Sequence, residues 1–450
     1  MTLATQGLEA TRTRLAEIAG EANVLTGEQA ASYAALREPP VAVVFPADEN
    51  QVAEIARLAN AERIPLILWG GGTKQGIEPV QPRDGIVLNT SRLSATLELD
   101  AANLTVTVGS GRVVDDLQNE LATVKLFLPL DPVDSARSTI GGMLATNSSG
   151  PNRLLYRTAR DWVLGLRVVT PFGEAVRAGG KTVKDVAGYD LKKLYMGSWG
   201  TLGAITAATF RLLPLPETQA TVVMSFPMLS NACTTVSALL GSFMRPSTAE
   251  LISSGLLPAA TEQGFHLQAG EYLLAISVEG AAEAVERQKA ELQELGKKNG
   301  AKELFTLEGA DEAQLWQERK ALSTGTSADG PTMVVKGSVL LKRVFDFTSG
   351  LVGLQGVKST FASHAGNGIV YGLISAEPGQ EEKLVSAAEQ LQRLAAGCGG
   401  FALIQHAPRS IVGKLKLWPP RTDYGIMREI KAQLDPNNVW NPARIPGGSL

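Results

Sequence analysis

The sequence predicts an α+β protein of two unlike parts, and three observations carry that expectation. A strand–helix–strand pattern near the start of the chain delivers the glycine run "LWGGGTKQG" at 68–76. Two more loops rich in glycine and small residues follow, "DPVDSARSTIGGMLATNSSGPNR" at 131–153 and "SWGTLGA" at 198–204. After Pro214 and Pro216 the pattern becomes ordinary strand–helix alternation. The expected division is an N-terminal helical segment (1–35), a first domain (36–216), a second domain (217–402) and a C-terminal segment (403–450) that packs back on the first. A chain of 450 residues is long enough for two or three such cores.

Each element has a local reason. "VAVVF" reads as a short buried strand, and Asp48 with Gln51 three residues on resembles a capping box. Val52, Ile55 and Leu58 then recur at helical spacing, Pro65 closes the helix, and "LILW" is the next strand. Such a strand carries its loop at the C-terminal end, where open sheets bind ligands. "LTVTVGSGRVVDDLQNEL" repeats the logic, with a helix opening near Val113, and "DWVLGLRVVTPFGEAVRAGG" reads as a hairpin turning at 171–173. In the second part, "EYLLAISVEG", "AKELFTL" and "TMVVKGSVLL" are strands. "AAEAVERQKAELQELGKKNG" and "GQEEKLVSAAEQLQRLAAG" are amphipathic helices, the former with glutamates early and lysines late, as the helix dipole favours. This alternation points to a ferredoxin-like domain. No internal repeat or low-complexity tract stands out.

Composition removes several function classes. Hydrophobic residues at 44% and charged residues at 19% are ordinary, and a net charge of -3 gives no reason to expect nucleic acid or an anionic bilayer. Cys233 and Cys398 are the only cysteines, so no disulfide framework or thiolate metal site is expected. The first residues lack a signal-peptide pattern, and no apolar run approaches the roughly 20 residues of a membrane span. The expectation is a cytoplasmic protein that reaches a membrane only through partners.

The first glycine loop belongs to neither common phosphate-binding class. The G-x-x-x-x-G-K-[ST] pattern would align Gly71 with Gly76 but then meets Ile77 and Glu78, and G-x-G-x-x-G from Gly70 and Gly72 would need glycine at Gln75. Glycine this dense still implies close backbone approach. Three such loops suggest a large ligand contacted in several parts by main-chain amides, which hold diphosphate without a basic composition.

In this order the three loops resemble the FAD-binding domain of the vanillyl-alcohol oxidase/para-cresol methylhydroxylase (PCMH) superfamily. Residues 65–76 resemble its first pyrophosphate segment and "STIGGMLATNSSGP" its second. "GGKTVKDVAGYDLKKLYMGSWGTLGAITAATFRLLPLP" is similar to the glycolate and D-lactate dehydrogenase branch, and the tail "LDPNNVWNPARI" fits as well. "SGPNRLLYRTARDWVLGLRVV" and "KDVAGYD" most resemble the smaller FAD-binding subunits of glycolate oxidase (glycolate dehydrogenase). The resemblance implies a two-part PCMH-type FAD-binding domain, a ferredoxin-like cap and a C-terminal return segment. By position it assigns FAD contacts to Trp69, Gly70, Gly71, Gly72, Thr73 and Gly76, to Ser138, Gly141, Gly142, Ala145, Asn147 and Gly150, and to Gly203 and Ile205. Relatives with covalent flavin commonly carry His just after the first glycines. Thr73 stands there, so FAD is expected to be non-covalent.

The same resemblance tests the active site. D-2-hydroxy-acid dehydrogenases of this branch carry a motif like H-x-G-D-G-N-L-H for two metal ligands, and a later E-H for a carboxylate ligand and a base. Here "HAGNGIVY" keeps His364 but puts Tyr371 at the second ligand, and "QHAPR" puts Gln405 at the carboxylate but keeps His406. Without an anion in that set no metal is expected. His364 and His406 then either pack in a vestigial site, or His406 takes the substrate proton unaided. His266 reads as a surface-loop residue. Arg319 lies where the branch binds a carboxylate, with Ser323 about one helical turn on, and Lys336 falls at a lysine position of the branch.

Two functions follow. One is a flavin dehydrogenase for a small 2-hydroxy acid such as glycolate or D-lactate. The other is a non-catalytic FAD-binding subunit working with a homologous catalytic flavoprotein and an iron–sulfur subunit. A nicotinamide-dependent reductase is disfavoured by the missing fingerprint.

Overall fold

The computed structural model describes residues 3–33, 40–75, 85–180, 189–256, 268–321, 330–419, 421–442 and 444, with backbone alone for 3–8 and 318–321. The chain separates into two compact units. One holds Met1–Ser148, Thr158–Leu215 and Pro420–Leu450, the other Ser149–Arg157 and Pro216–Pro419.

The first unit has two sheets. In the smaller, strands Ala42–Val44, Ile86–Asn89 and Leu66–Trp69 run parallel, with Val24–Leu25 antiparallel at one edge. Helix Glu49–Glu62 makes the crossover between Ala42–Val44 and Leu66–Trp69. Its start is the expected reciprocal cap: the Asp48 carboxylate accepts from Gln51 N–H at 2.9 Å, and the Gln51 side chain accepts from Ala47 N–H at 2.7 Å. It ends at Arg63, whose left-handed backbone (φ 54) turns the chain into the next strand. Val52, Ile55 and Leu58 are buried against that sheet, each contributing about 1.5–3 kcal/mol of apolar burial. Leu15 of the N-terminal helix Leu3–Ala19 joins the same core. The larger sheet is antiparallel, in the order Thr96–Asp100, Thr105–Gly109, Ala204–Arg211, Val163–Val169, Ala175–Gly179. Helix Val114–Ala122 follows its second strand in sequence, capped at Val113.

The chain's end completes the first unit. Leu66 N–H donates to Val439 O at 2.8 Å and Asn441 N–H to Leu66 O at 2.9 Å, so residues 439–441 lie beside the strand that feeds the first glycine loop.

The second unit holds the expected ferredoxin-like motif twice. Its eight-stranded antiparallel sheet contains two ferredoxin-like β-α-β-β-α-β motifs. Strands 218–226, 248–253, 272–280 and 303–307 form one, and 332–338, 358–364, 369–375 and 401–406 the other. They fuse where Thr248–Ser253 pairs with Lys358–His364, which places Glu250 opposite His364. The sequence shows no repeat because the motifs share connectivity and period, not residues. Fusion also pairs two edges that would otherwise be exposed. Helices Leu229–Leu240, Ala282–Lys298, Val344–Val352 and Glu382–Gly397 cover one face over a core that includes Met224, Leu274, Phe347 and Phe361.

Helix Gly309–Ala321 packs on the opposite face. Trp316 Nε1 donates to Thr221 Oγ1 at 3.0 Å, and buried Glu312 Oε1 accepts from Thr221 at 2.5 Å, Gln219 at 3.0 Å and Ser277 at 3.3 Å. Burial lifts the Glu312 carboxyl above its ordinary value of 4.5, although these three donors oppose it. The native state therefore binds more protons than the unfolded chain above pH 4.5, and stability falls as pH rises from there to the folded value. In Glu312→Gln that fall should vanish. Urea unfolding from pH 4 to 8 should show the variant gaining on the wild type as pH rises; parallel pH profiles would contradict this reading.

Candidate functional site

The three loops meet in the first unit. Strand Leu66–Trp69 runs out into the first loop, the second loop feeds the short helix Ile140–Thr146, and the third precedes strand Ala204–Arg211. Together they line a groove with a cavity volume of about 80 Å³, space for several water-sized groups. Trp69, Gly70, Gly71, Gly72, Thr73, Gly141, Gly142, Ala145, Gly203 and Ile205 all line it. Gly200 of the third glycine turn lines it too, and so do Thr90, Thr139, Thr146, Ser198, Trp199, Asn441 and Arg444, which were not singled out from the sequence.

The glycines are used differently from the expectation. A Cβ on Gly71 would stand 1.7 Å from the Arg137 carbonyl oxygen, and one on Gly70 2.2 Å from Thr139 Oγ1. These bare Cα atoms let the second loop close on the first. At Gly200 (φ +70) a Cβ would meet both Asn441 and Leu68 at 2.7 Å. Glycine density thus records loop meeting loop, with the ligand groove as the consequence. The amides divide accordingly: Gly141 N–H donates to Ser110 O at 2.7 Å and Gly142 N–H to Thr139 Oγ1 at 3.3 Å. Among the described residues no acceptor takes the N–H groups of Gly70, Gly71, Gly72 or Thr73.

Three of the expected flavin contacts do not line the groove. Ser138 sits behind it, donating to Val133 O at 3.0 Å and lying 3.4 Å from the Thr73 hydroxyl. Asn147 is the left-handed C-cap (φ 47) that ends helix Ile140–Thr146. Gly150 belongs to the 149–157 stretch of the second unit. Gly76 lies outside the described residues.

The return segment fastens the groove. Asn441, 2% exposed, accepts from Leu68 N–H at 2.9 Å and donates to Trp199 O at 2.6 Å, linking the first loop to the third. Behind it Lys431 Nζ donates to Thr201 O and Trp440 O, both at 2.7 Å, and to the Asp435 carboxylate. Asp435 in turn accepts from Val439 N–H at 3.1 Å and Trp440 N–H at 2.8 Å. Burial pulls the Lys431 ammonium below its ordinary value of 10.5, and Asp435 opposes that shift. Arg444 donates to the Gln75 side-chain oxygen, and Gln75 donates to Leu68 O at 2.8 Å.

In the second unit, a polar row lies on the sheet face away from the four covering helices. Directly paired residues share a face, and the pairs Glu250–His364, Ala362–Tyr371, Lys336–Tyr371 and Val334–His406 put these side chains together there. His364 Nδ1 hydrogen-bonds the buried Glu250 carboxylate. The His364 and Tyr371 rings meet edge-on at 5.4 Å, and Lys336 Nζ lies 5.7 Å from the Tyr371 ring centre. Glu250 lies outside the ligand set considered from the sequence, because a single acid in "TAELIS" carried no signal. His406 Nδ1 lies 3.3 Å from Thr332 O. A carbonyl only accepts, so Nδ1 is the donor in this contact, and in the neutral imidazole that leaves the lone pair on Nε2. Gln405 falls at the irregularity between the Val334 and Val335 pairings. Arg319 is on helix Gly309–Ala321, while its side chain, Ser323 and His266 lie outside the described residues. Among the described residues no group of three His, Cys, Asp or Glu side chains could hold a metal.

Residues 40–179 match the FAD binding domain family, and residues 215–445 match the C-terminal domain of FAD linked oxidases. The chain belongs to the FAD-linked oxidases. Among relatives of this flavoenzyme, the mitochondrial D-lactate dehydrogenase [cytochrome] of Arabidopsis thaliana is 30% identical over 90% of this chain and 73% of its own length. Glycolate oxidase subunit GlcD of Bacillus subtilis (strain 168) is 29% identical over 90% of this chain and 89% of its own. The fold is that of p-cresol methylhydroxylase, which superposes with a TM-score of 0.77 at 16% identity, covering 98% of this chain and 97% of that one.

The cofactor is FAD, and the groove suits it. The first-loop amides offer donors to a diphosphate, and Lys74 and Arg444 line the same groove. Thr73, whose hydroxyl lies against Ser138, has no ring nitrogen with which to bond the flavin. Gly71→Ala should force the first and second loops apart, destabilise the protein by about 1–3 kcal/mol and lower the flavin content on purification. Gly413→Ala, with nothing within 4 Å of the added Cβ, should change neither. Flavin absorbance per chain and melting temperature read both; normal flavin content in the Gly71 variant would contradict the loop-contact account.

Proposed function

We propose that this FAD-linked oxidoreductase oxidises a small D-2-hydroxy acid such as glycolate or D-lactate. The observation that carries the reading is the face shared by Lys336, Tyr371, His364 and His406, with His406 Nδ1 3.3 Å from Thr332 O. Relatives named glycolate oxidase subunit and D-lactate dehydrogenase support the substrate class. In this reading Lys336, with Arg319 from the helix on the same face, receives the substrate carboxylate, with Ser323 assisting. His406 Nε2 takes the hydroxyl proton without a metal. Bound FAD supplies the two-electron acceptor for oxidation of the substrate C–H bond. The protein's own part is to hold the carboxylate, orient the hydroxyl toward the imidazole and store the proton there.

A second reading rests on Tyr371 and Gln405, which depart from the dehydrogenase ligand pattern: an FAD-binding subunit that works with a homologous catalytic flavoprotein. Either way, an iron–sulfur relay would have to come from a partner, since two cysteines cannot ligate a cluster. No described helix is long and apolar enough to cross a bilayer.

Anaerobic addition of glycolate or D-lactate to the purified chain should bleach the flavin. His406→Asn should slow that reduction by about 10²-fold or more. Lys336→Met should chiefly weaken substrate binding, by about tenfold or more. Bleaching that appears only after mixing with a homologous subunit would favour the accessory reading, and equal reduction rates in wild type and the His406 variant would remove that residue from the chemistry.

A further inference from the structure

Lys431 and Asp435 form an ion pair at 1% and 0% side-chain exposure, as deeply buried as His364 and Glu250 in the second unit. Burying both charges is costly unless every donor and acceptor is met. Here all three ammonium protons have acceptors, on Thr201, Trp440 and Asp435, which join helix Tyr424–Leu434, the return segment and the third loop. The loop so held is conformationally unusual. Trp199, a bulky residue, sits at φ 56, and its carbonyl is gripped by Asn441. A non-glycine residue persists there only where its surroundings over-determine it.

We propose that Lys431 is a positioning residue for the flavin nucleotide: it ties the third loop to the return segment, so that docking of residues 435–441 and binding of FAD are one coupled equilibrium. The proposal rests on FAD occupying the groove. Removing the tie lets the loop around Trp199 relax, which withdraws Ser198, Trp199 and Gly200 from the groove while the rest of the unit stays folded. By reciprocity FAD must tighten the docked segment to the same extent.

The test compares FAD dissociation constants of deflavinated wild type, Lys431→Met/Asp435→Asn and Leu121→Ala, alongside their melting temperatures without FAD. The double variant removes both charges and keeps one side-chain oxygen, which can accept from one of the Val439 and Trp440 amides. Its FAD dissociation constant should rise about tenfold or more, within the 5–150-fold range usual for coupled sites. Leu121→Ala empties a core position on helix Val114–Ala122 and should lower the melting temperature while leaving FAD affinity within about twofold. Wild-type affinity in the double variant, or an equal loss in Leu121→Ala, would overturn the proposal. If the double variant fails to fold, hydrogen exchange on the wild type decides. Saturating FAD should slow exchange at the Val439 and Trp440 amides, and unchanged exchange there would overturn the coupling. Failure of wild type to bind FAD would instead count against the groove itself.

Discussion

One buried ammonium organises the first unit's groove. Lys431 is held inside protein by two main-chain carbonyls and a carboxylate, and those partners come from stretches more than two hundred residues apart in the chain. Such a pair does not add much net stability, because its desolvation offsets its attraction. What it adds is definition, since any displacement of the third loop or the return segment leaves a charge unsatisfied. Asn441 extends the same logic one step nearer the groove, joining Leu68 N–H to Trp199 O. The groove is therefore built by residues 431–441 as much as by the glycine loops.

The second unit follows a different logic. Two ferredoxin-like motifs share one sheet, with helices over one face and a polar row on the other. Where relatives of the dehydrogenase branch are expected to gather metal ligands, this chain pairs His364 with Glu250 and sets Lys336 near Tyr371.

The loops were legible in the sequence because close approach of backbones leaves a compositional trace, and the glycines at 70–72, 141–142, 200 and 203 are that trace. The capping box at Asp48 and the helix it starts were legible for the same local reason. What lies in long-range pairing was not. The duplication of the second sheet depends on strand 248–253 meeting strand 358–364 across more than a hundred residues, and no short window records it. Glu250 was missed because a lone acid in an apolar strand has no motif. Lys431 and Asp435 stand four apart, the spacing of any exposed helical ion pair, so their burial is invisible locally. Ser138, Asn147 and Gly150 were assigned to the cofactor by position along a motif, whereas the structure uses Ser138 to back Thr73 and Asn147 to end a helix.

The central claim is that first-loop amides, held in place by the other loops and the return segment, grip the diphosphate of FAD. Calorimetric titration of deflavinated protein with FAD and with riboflavin tests it most directly. Two or more hydrogen bonds to a charged diphosphate predict one FAD per chain, bound about 10²-fold or more tightly than riboflavin. Equal affinity for the two would mean that the protein holds the flavin by its ring, and that the groove does something else.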